Sequence, residues 1–294
     1  MHVLVQSIID GLVFGAIYAI AGLTFGLIYD VTKVFHIAFG SIGTLGTYVA
    51  VALAGSNGSL AHIVSSVALG ALVAGAATVA VVVLVYRPLI RRGADSGATF
   101  VSSLGLATLI EALVILGFGA NDRSFSVDSF VRRHDVGGFG ISNFHVVGVG
   151  LAVVVVIALI LLVDHTRFGH QLRAVASSRE QADLVGIRSG VVATTACALA
   201  GALSVIAFVL VGMNGAVVAT GGTQLTLFAV LAVIAGGVGR FWGTAILGFA
   251  LGVLSGVSGT VFPGQWSATA VFVCALVLIL LRPRGLASRT GAPT

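Results

Sequence analysis

Residues 144–213 decide the fold, and they read FHVVGVGLAVVVVIALILLV (144–163), DHTRFGHQLRAVASSREQADLVGIR (164–188) and, after Ser189 and Gly190, VVATTACALAGALSVIAFVLVGM (191–213). Two apolar runs flank one charged segment. A helix needs about 20 apolar residues to cross the hydrocarbon core, so each run is long enough to span a bilayer. The charged segment is longer than a connection between two helices requires. The stretch therefore predicts two membrane spans joined by a connector with a function of its own.

The same apolar character extends along the whole chain. Of its 294 residues, 58% are hydrophobic and only 9% are charged, and the mean hydropathy is +1.13. These values exclude a water-soluble globule, and continuous rather than alternating apolar runs exclude a transmembrane β-barrel. We predict an all-α polytopic integral membrane protein, with one transmembrane domain over 1–294 and eight or nine transmembrane or re-entrant helices. The apolar windows lie near 5–28, 34–54, 60–86, 98–119, 144–163, 191–213, 224–239, 242–260 and 267–282.

Two of these windows differ from the rest. The window at 34–54 is interrupted by Gly40, Gly43 and Gly46, and the window at 224–239 is short. Either could be a broken or re-entrant helix, which is tolerated at membrane depth only where protein buries it. The predicted number of complete spans is therefore eight or nine.

The basic residues predict an orientation. If the tail at 282–289 is cytoplasmic, nine crossings place 12 of the 15 Lys and Arg residues on that side. This asymmetry follows the positive-inside rule. It places the charged loop 164–190 in the cytoplasm and the loop 120–142 outside.

Small residues recur at four-residue spacing in two windows. Such stripes let helix backbones approach closely in a membrane. They fit packing within the chain, which is the simpler interpretation, or a contact between subunits. The stripes are Gly11, Gly15 and Ala19, continued by Gly22 and Gly26, and Gly248, Gly252 and Gly256.

Glu111 is a carboxylate inside the fourth apolar window. A charged group at the membrane centre costs about 2.5–3.5 kcal/mol on insertion scales, so it rarely faces lipid. One interpretation is a polar lining of a translocation path, together with Ser102, Ser103 or Thr108. The other is a protonated or paired carboxylate that holds helices together.

The remaining polar residues predict neither an enzyme nor a metal or cofactor site. His36 could carry a proton or bind a ligand, although a single histidine beside Lys33 is more typical of a membrane interface. No metal-ligand spacing and no Ser/His/Asp or Cys/His arrangement is present. Lys33 is the only lysine and does not follow a Gly-rich loop, so the chain has no Walker A motif. Any role driven by ATP therefore requires a partner subunit.

Four segments resemble one family, the shorter permease subunit of branched-chain amino acid ABC importers. They read GLVFGAIYAIAGLTFGLIY (11–29), VFHIAFGSIGTLGTYVA (34–50), RAVASSREQADLVGIRSGVVATTACALAGALSVIAFVLVG (173–212) and LFAVLAVIAGGVGRFWGTAILGFALGVLSG (227–256), followed by LRPRGL (281–286). The family has Asn and His where this chain has His36 and Phe39, while Ala38 and Gly40 match.

The resemblance implies an ABC-importer permease architecture and two sets of functional residues. A short helix within 172–188 would dock on a separate ATPase, because Glu180, Ala182 and Gly186 match part of the signature of ABC permeases. The predicted coupling residues are Arg173, Ala174, Arg179, Glu180, Ala182 and Gly186. The predicted translocation path contains His36, Phe39, Gly40, Glu111, Asn214, Gly236 and Gly237.

The implied function is the import of branched-chain or related amino acids across the bacterial plasma membrane. The implied partners are a second permease subunit, identical or different, two cytoplasmic ATPase subunits and an extracytoplasmic binding protein that contacts 120–142 and 212–224. Two alternatives stay open: an ABC permease for urea or short amides, and an ion-coupled secondary transporter that uses Glu111 as a proton site. An intramembrane enzyme ranks below both, because no nucleophile and base pair up in the sequence.

Overall fold

The computed structural model describes residues 2–55, 60–125, 133–136, 139–262 and 264–281. The basic tail at 282–289, and residues 126–132 of the predicted outer loop, lie outside the described residues. Within them the chain forms twelve α-helices and one short hairpin. The helices are α1 (His2–Thr32), α2 (Ala38–Ala54), α3 (Leu60–Val81), α4 (Arg87–Arg91), α5 (Ser96–Phe118), α6 (Asn143–His165), α7 (Arg167–Ser177), α8 (Arg179–Leu184), α9 (Ser189–Asn214), α10 (Gly222–Gly236), α11 (Phe241–Val261) and α12 (Gly264–Leu281).

The helices confirm an all-α polytopic membrane protein, since each of the nine predicted windows coincides with an apolar helix. In the described part, six helical stretches are long and apolar enough to cross a membrane: Gln6–Thr32, Ala61–Arg91, Ser96–Phe118, His145–His165, Ser189–Asn214 and Phe241–Val261. Three apolar helices are shorter: Ala38–Ala54, Gly222–Gly236 and Ala268–Leu280. The two windows singled out as doubtful, now α2 and α10, are among these three.

Helix α2 is not broken by its glycines. It runs without interruption for 17 residues. A Cβ atom on Gly43 would lie 2.3 Å from the ring of Phe208, and one on Gly46 would lie 2.8 Å from the carbonyl oxygen of Gly70. The glycines therefore serve close packing against α9 and α3. A glycine inside a helix costs about 1 kcal/mol relative to alanine, and this packing offsets that cost.

The chain divides into two compact units. The first unit comprises Met1–Gly26, Ser129–Ile160 and Phe228–Thr294, and the second comprises Leu27–Asp128 and Leu161–Leu227. In the second unit, α2 packs against α3, α5 and α9, and α9 also packs along α3. In the first unit, α11 packs against α12.

The two stripes of small residues meet each other inside the first unit. A Cβ atom on Gly252 would lie 2.0 Å from the backbone nitrogen of Gly15, and one on Gly256 would lie 2.5 Å from Cα of Gly11. Helices α1 and α11 thus touch backbone to backbone, as small-residue faces allow in a membrane. The stripes pack within the chain, which was the simpler of the two interpretations.

The carboxyl-terminal end of α3 is irregular. A π-helical turn, Val82–Tyr86, joins α3 to α4, which contains Pro88. Such turns widen a helix locally and often occur near functional sites. Here the turn ends on Tyr86, whose side chain is buried in the second unit.

A β-hairpin is the one strand pair in the described residues. Strand β1 (Arg133–Val136) pairs antiparallel with β2 (Phe139–Ser142), with Arg133 opposite Ser142 and Val136 opposite Phe139. The hairpin lies in the predicted outer loop 120–142. Sequence reasoning did not anticipate it, because the segment lacks the long β-branched runs that predict strands.

Candidate functional site

Glu111 makes its hydrogen bonds with two other helices of the second unit. Ser41 Oγ in α2 donates to Glu111 Oε1 over 3.2 Å, and Thr223 Oγ1 at the start of α10 donates to the same oxygen over 3.2 Å. The half-buried carboxylate thus joins three helices. We call Ser41, Glu111 and Thr223 the carboxylate cluster.

The residues expected beside Glu111 on its own helix are not its partners. Ser102 donates to the carbonyl of Ala98, and Thr108 donates to that of Gly105. Ser103 Oγ accepts a bond from the backbone nitrogen of Ala38 over 3.1 Å, at the start of α2. None of these three hydroxyl groups hydrogen-bonds Glu111 in the structure. The true partners lie 70 and 112 residues away in the chain.

Two glycines bring α10 to the carboxylate cluster. A Cβ atom on Gly40 would lie 2.1 Å from the carbonyl oxygen of Gly222, and one on Gly222 would lie 2.5 Å from that of Gly40. Only glycine permits this approach. The amino-terminal turn of α10, which carries a partial positive charge, is thereby placed beside Glu111.

Thr44 adds a hydroxyl at the same contact. It lies one turn after Ser41 in α2 and is 1% exposed, yet its Oγ1 has no hydrogen-bond partner in the described part of the chain. A Cβ atom on Gly222 would meet this oxygen at 2.7 Å, so the hydroxyl faces the first turn of α10. Thr47, by contrast, donates to the carbonyl of Gly43 in its own helix. A buried unpaired hydroxyl is costly, which makes Thr44 a candidate for ligand contact.

The side chain of His36 is buried within the protein. It lies at 33–37, the connection between α1 and α2, is 0% exposed, and its Nδ1 hydrogen-bonds Tyr86 Oη over 2.7 Å. Burial lowers the pKa of His36 to about 3, so the imidazole is neutral at pH 7. The histidine and Tyr86 form an internal polar contact between the start of α2 and the end of α3. Its position near the membrane boundary, beside Lys33, stays a prediction.

The other predicted path residues are spread over both units. In the second unit, the ring of Phe39 packs 6.2 Å from that of Phe208, and Asn214 ends α9 and is exposed. In the first unit, a Cβ atom on Gly236 would lie 2.6 Å from the backbone nitrogen of Thr244, and Gly237 has a φ of +99°. The two glycines shape the tight turn between α10 and α11.

The charged segment forms two helices where the sequence predicted one short helix within 172–188. Ser178 adopts an extended conformation between α7 and α8, and its Oγ accepts a bond from the backbone nitrogen of Gln181 over 3.3 Å. Serine followed three residues later by glutamine is the pattern of a capping box, which begins a helix. This signal was present in the sequence and would have located the break.

Gly186 ends α8 in a conformation that favours glycine. Its φ is +84°, the backbone nitrogen of Ile187 donates to the carbonyl of Ala182, and that of Gly186 donates to the carbonyl of Asp183. These two bonds define a Schellman motif. Asp183 also accepts bonds from Ser189 at the start of α9, each over 3.0 Å. The turn between α8 and α9 is therefore fixed at both ends.

Two arginines attach the charged segment to the ends of long helices. Arg173 donates to the carbonyl of Val163 over 2.6 Å and to Asp164 Oδ1 over 3.2 Å, near the end of α6. Arg179 donates to the carbonyl of Val31, at the end of α1. Cations are favourable at helix carboxyl ends, where carbonyl oxygens lack partners within the helix. The segment is thus fastened to two membrane helices.

The outer surface of α8 carries exposed apolar side chains. Ala182 points inward and is buried, while Leu184 is 86% exposed and Val185 is 75% exposed. Glu180 is exposed on the same short helix. Leu184 and Val185 follow a polar segment outside the apolar helices, so lipid tails do not account for their exposure.

A second contact links the predicted outer loop to the stretch after α9. Arg123 and Val217 exchange two backbone hydrogen bonds, of 3.2 and 2.7 Å, and Tyr48 Oη donates to the carbonyl of Val217 over 3.0 Å. The segments 120–142 and 212–224, both predicted to contact a binding protein, therefore meet in the second unit.

No group of three or more His, Cys, Asp or Glu residues that could hold a metal ion occurs among the residues the structure describes. Cys197 is buried in α9, and Cys274 is an exposed residue of α12. The carboxylate cluster offers hydrogen-bonding groups to a ligand.

Comparison with known proteins places this geometry in context. The model of the family described as branched-chain amino acid transport system, permease component, matches residues 7–281. The chain is similar to the high-affinity branched-chain amino acid transport system permease protein BraD of Pseudomonas aeruginosa, with 25% identity over 97% of this chain and 95% of that protein. It is also similar to the probable branched-chain amino acid transport permease protein LivH of Methanocaldococcus jannaschii, with 29% identity over 84% of this chain and 79% of that protein.

Among solved structures, the chain is similar to one in PsaBC from Streptococcus pneumoniae in complex with Fab, with a TM-score of 0.48 and 13% identity over 96% of this chain and 91% of that chain. The family model covers nearly all of the described residues, including the carboxylate cluster and the charged segment. The chain therefore belongs to the family of permease components of branched-chain amino acid transport systems.

Proposed function

We propose that this permease moves branched-chain or related amino acids into the cytoplasm as the transmembrane subunit of an ABC importer. Separate ATPase subunits supply the energy, and an extracytoplasmic binding protein delivers the amino acid. The names of the similar proteins, which concern branched-chain amino acid transport, support the substrate class. A second permease subunit, identical or different, completes the membrane pathway.

The observation that carries this proposal is the construction of α7 and α8. An element that couples ATPase motion to a membrane pathway must be rigid, attached to the membrane helices and exposed to the partner. Arg173 and Arg179 attach the segment to the ends of α6 and α1. The exposed Leu184 and Val185 supply apolar surface for contact with an ATPase. Ala174, beside Arg173 in α7, belongs to the same coupling element.

Two variants test the docking surface. Each places one negative charge at a different exposed position of the charged segment. Leu184→Glu is expected to reduce co-purification of the ATPase subunits and ATP-driven amino acid uptake, because it places a carboxylate in an apolar contact. Gln171→Glu, on α7, serves as the matched control and leaves both unchanged. Equal co-purification and equal uptake in the two variants would contradict docking through α8.

The attachment of the segment is tested separately. Arg179→Gln removes the cation at the end of α1 but leaves the outer surface of α8 unchanged. We expect the ATPase to remain bound and to hydrolyse ATP, while uptake per ATP falls. Loss of ATPase binding instead would assign Arg179 to the docking surface itself.

The translocation path is proposed to include the carboxylate cluster. His36, Phe39, Gly40 and Asn214 belong to the same unit as Glu111. The outer entrance is proposed at the contact of Arg123 with Val217, where the segments expected to meet a binding protein adjoin.

Glu111 also supports the second candidate function, an ion-coupled transporter that uses this carboxylate as a proton site. Uptake by the purified chain alone, driven by a pH gradient without ATP, distinguishes the two. Such uptake would favour the ion-coupled transporter, and its absence together with ATP-dependent uptake in the assembled complex would favour the importer.

A further inference from the structure

We propose that the carboxylate cluster binds the primary ammonium group of the transported amino acid. This inference rests on the proposed function and adds the chemistry by which one residue of the path recognises its cargo. The ligand class is a primary ammonium ion on a small apolar molecule.

Two hydroxyl groups and the start of α10 surround one oxygen of Glu111. Ser41 and Thr223 each donate a hydroxyl hydrogen bond to Oε1. The amino-terminal turn of α10, placed here by Gly40 and Gly222, adds a favourable dipole. The cluster thus places a carboxylate, with donors on one oxygen, in an otherwise apolar part of the chain.

Glu111 forms no ion pair among the described residues. The two ion pairs that occur in them are His145 with Asp10 and Arg173 with Asp164. A carboxylate within an apolar helix of a membrane protein is costly unless it is paired or reaches water. A cation that enters the site would supply the missing charge.

The unused hydrogen-bonding oxygens at this site suit an ammonium group. Both hydroxyl bonds go to Oε1, which leaves Oε2 without a donor in the described part of the chain. The hydroxyl of Thr44 is unpaired and faces the first turn of α10. An ammonium group has three donors and no acceptor, so it matches a carboxylate oxygen with nearby hydroxyl oxygens. Ca²⁺, by comparison, takes six to eight oxygen ligands, more than these four side chains offer.

The binding test uses the purified full-length chain and two probes that each keep half of leucine. Isoamylamine has the ammonium group and the branched apolar tail, and isocaproate has the carboxylate and the same tail. We expect isoamylamine to raise the melting temperature of the wild type and of Thr108→Val, but not of Glu111→Gln. Isocaproate should raise none of them. Thr108 is the matched control because it lies on the same helix and bonds only within it.

Three results would overturn the inference. One is an equal shift by isoamylamine in Glu111→Gln, and another is no shift in the wild type. The third concerns an inorganic cation. If replacing choline chloride by sodium chloride shifts the melting temperature of the wild type but not that of Glu111→Gln, the site takes an inorganic cation. Glu111→Gln keeps an acceptor for Ser41 and Thr223, so its folding is checked by its melting temperature without ligand.

Uptake by the assembled importer separates this inference from the proposed function. With ATPases and binding protein present, we expect Glu111→Gln to lower leucine uptake about tenfold, the effect of losing one charge-assisted contact of about 1.4 kcal/mol. Wild-type uptake that does not depend on ATP would refute the proposed function while leaving isoamylamine binding intact. ATP-dependent uptake that is unchanged in Glu111→Gln would refute the inference alone.

Discussion

The turn that ends α8 requires a left-handed backbone conformation at Gly186. Its φ of +84° lies in the left-handed region, and it closes the Schellman motif that ends α8. A side chain in this conformation costs about 1–2 kcal/mol. The match of this glycine to the permease signature thus has a physical cause.

Gly186→Ala is expected to destabilise the turn between α8 and α9 and to reduce coupling. The expected loss is about 1 kcal/mol, measured as faster amide hydrogen exchange at Ile187 and Ser189. Gly190→Ala is the control, because its Cβ would meet only Arg87 at an ordinary 3.8 Å and its φ is not left-handed. If the two variants exchange alike, the turn does not require glycine at position 186.

His36 predicts a pH dependence of stability. The folded protein holds the pKa of His36 at about 3, against 6.5 in an unfolded chain. Below pH 6.5 the unfolded chain binds a proton that the folded one does not, so stability is complete above 6.5 and falls as the pH decreases. At pH 5 the loss is about 2 kcal/mol. The melting temperature of the wild type should fall between pH 7 and 5 by more than that of His36→Asn, and parallel curves would argue against a buried neutral imidazole.

At the scale of elements, the contact between α1 and α11 depends on the absence of side chains. Gly11, Gly15, Gly252 and Gly256 let the two backbones touch in the first unit. Sequence spacing identified the stripes, but spacing alone does not tell which helix a stripe faces. The partner follows only from the three-dimensional arrangement.

Gly252→Ala and Gly259→Ala should have opposite effects although both lie in α11. A Cβ atom on Gly252 would lie 2.0 Å from the backbone of Gly15, whereas one on Gly259 would meet nothing within 4 Å. Overpacking costs about 1–3 kcal/mol, while glycine to alanine in an open helical position gains up to about 1 kcal/mol. Thermal unfolding of the two purified variants measures the difference. A stabilised Gly252→Ala would contradict the contact of α1 with α11.

The split of the charged segment shows what periodicity misses at this scale. The apolar and charged pattern of 171–185 continues across Ser178, so it predicts one helix. A single side chain, Ser178, caps α8 and redirects the backbone. Because capping is a local hydrogen bond rather than a periodic property, the Ser178 to Gln181 spacing carries the signal and the periodicity does not.

At the scale of the whole molecule, the chain is a multi-pass protein of the bacterial inner membrane and a member of a permease family. The basic residues predict which side each loop faces, through the positive-inside rule. This predicted orientation sets the side on which the proposed docking surface of α8 lies and the side on which Arg123 and Val217 adjoin.

Single cysteines report that orientation. In a chain with Cys197→Ala and Cys274→Ala, Leu184→Cys should react with a membrane-impermeant maleimide only in inside-out vesicles. Asn121→Cys should react only from the outer face of intact spheroplasts, since it is exposed in the predicted outer loop. The predicted orientation places an odd number of membrane crossings between the two positions. Labelling of both cysteines from the same side would therefore refute it.

The sequence by itself determined that this is an all-α membrane protein, where its apolar helices lie, and which family it belongs to. Hydropathy and small-residue spacing are local properties that a chain carries before it folds. Only the tertiary structure decided the partners of Glu111 and the burial of His36. Those contacts join residues from distant parts of the chain. Beside Glu111, Gly40 and Gly222 let the backbones of α2 and α10 meet. No local pattern specifies which helices will approach in this way. The sequence therefore identified Glu111 but not its partners Ser41 and Thr223.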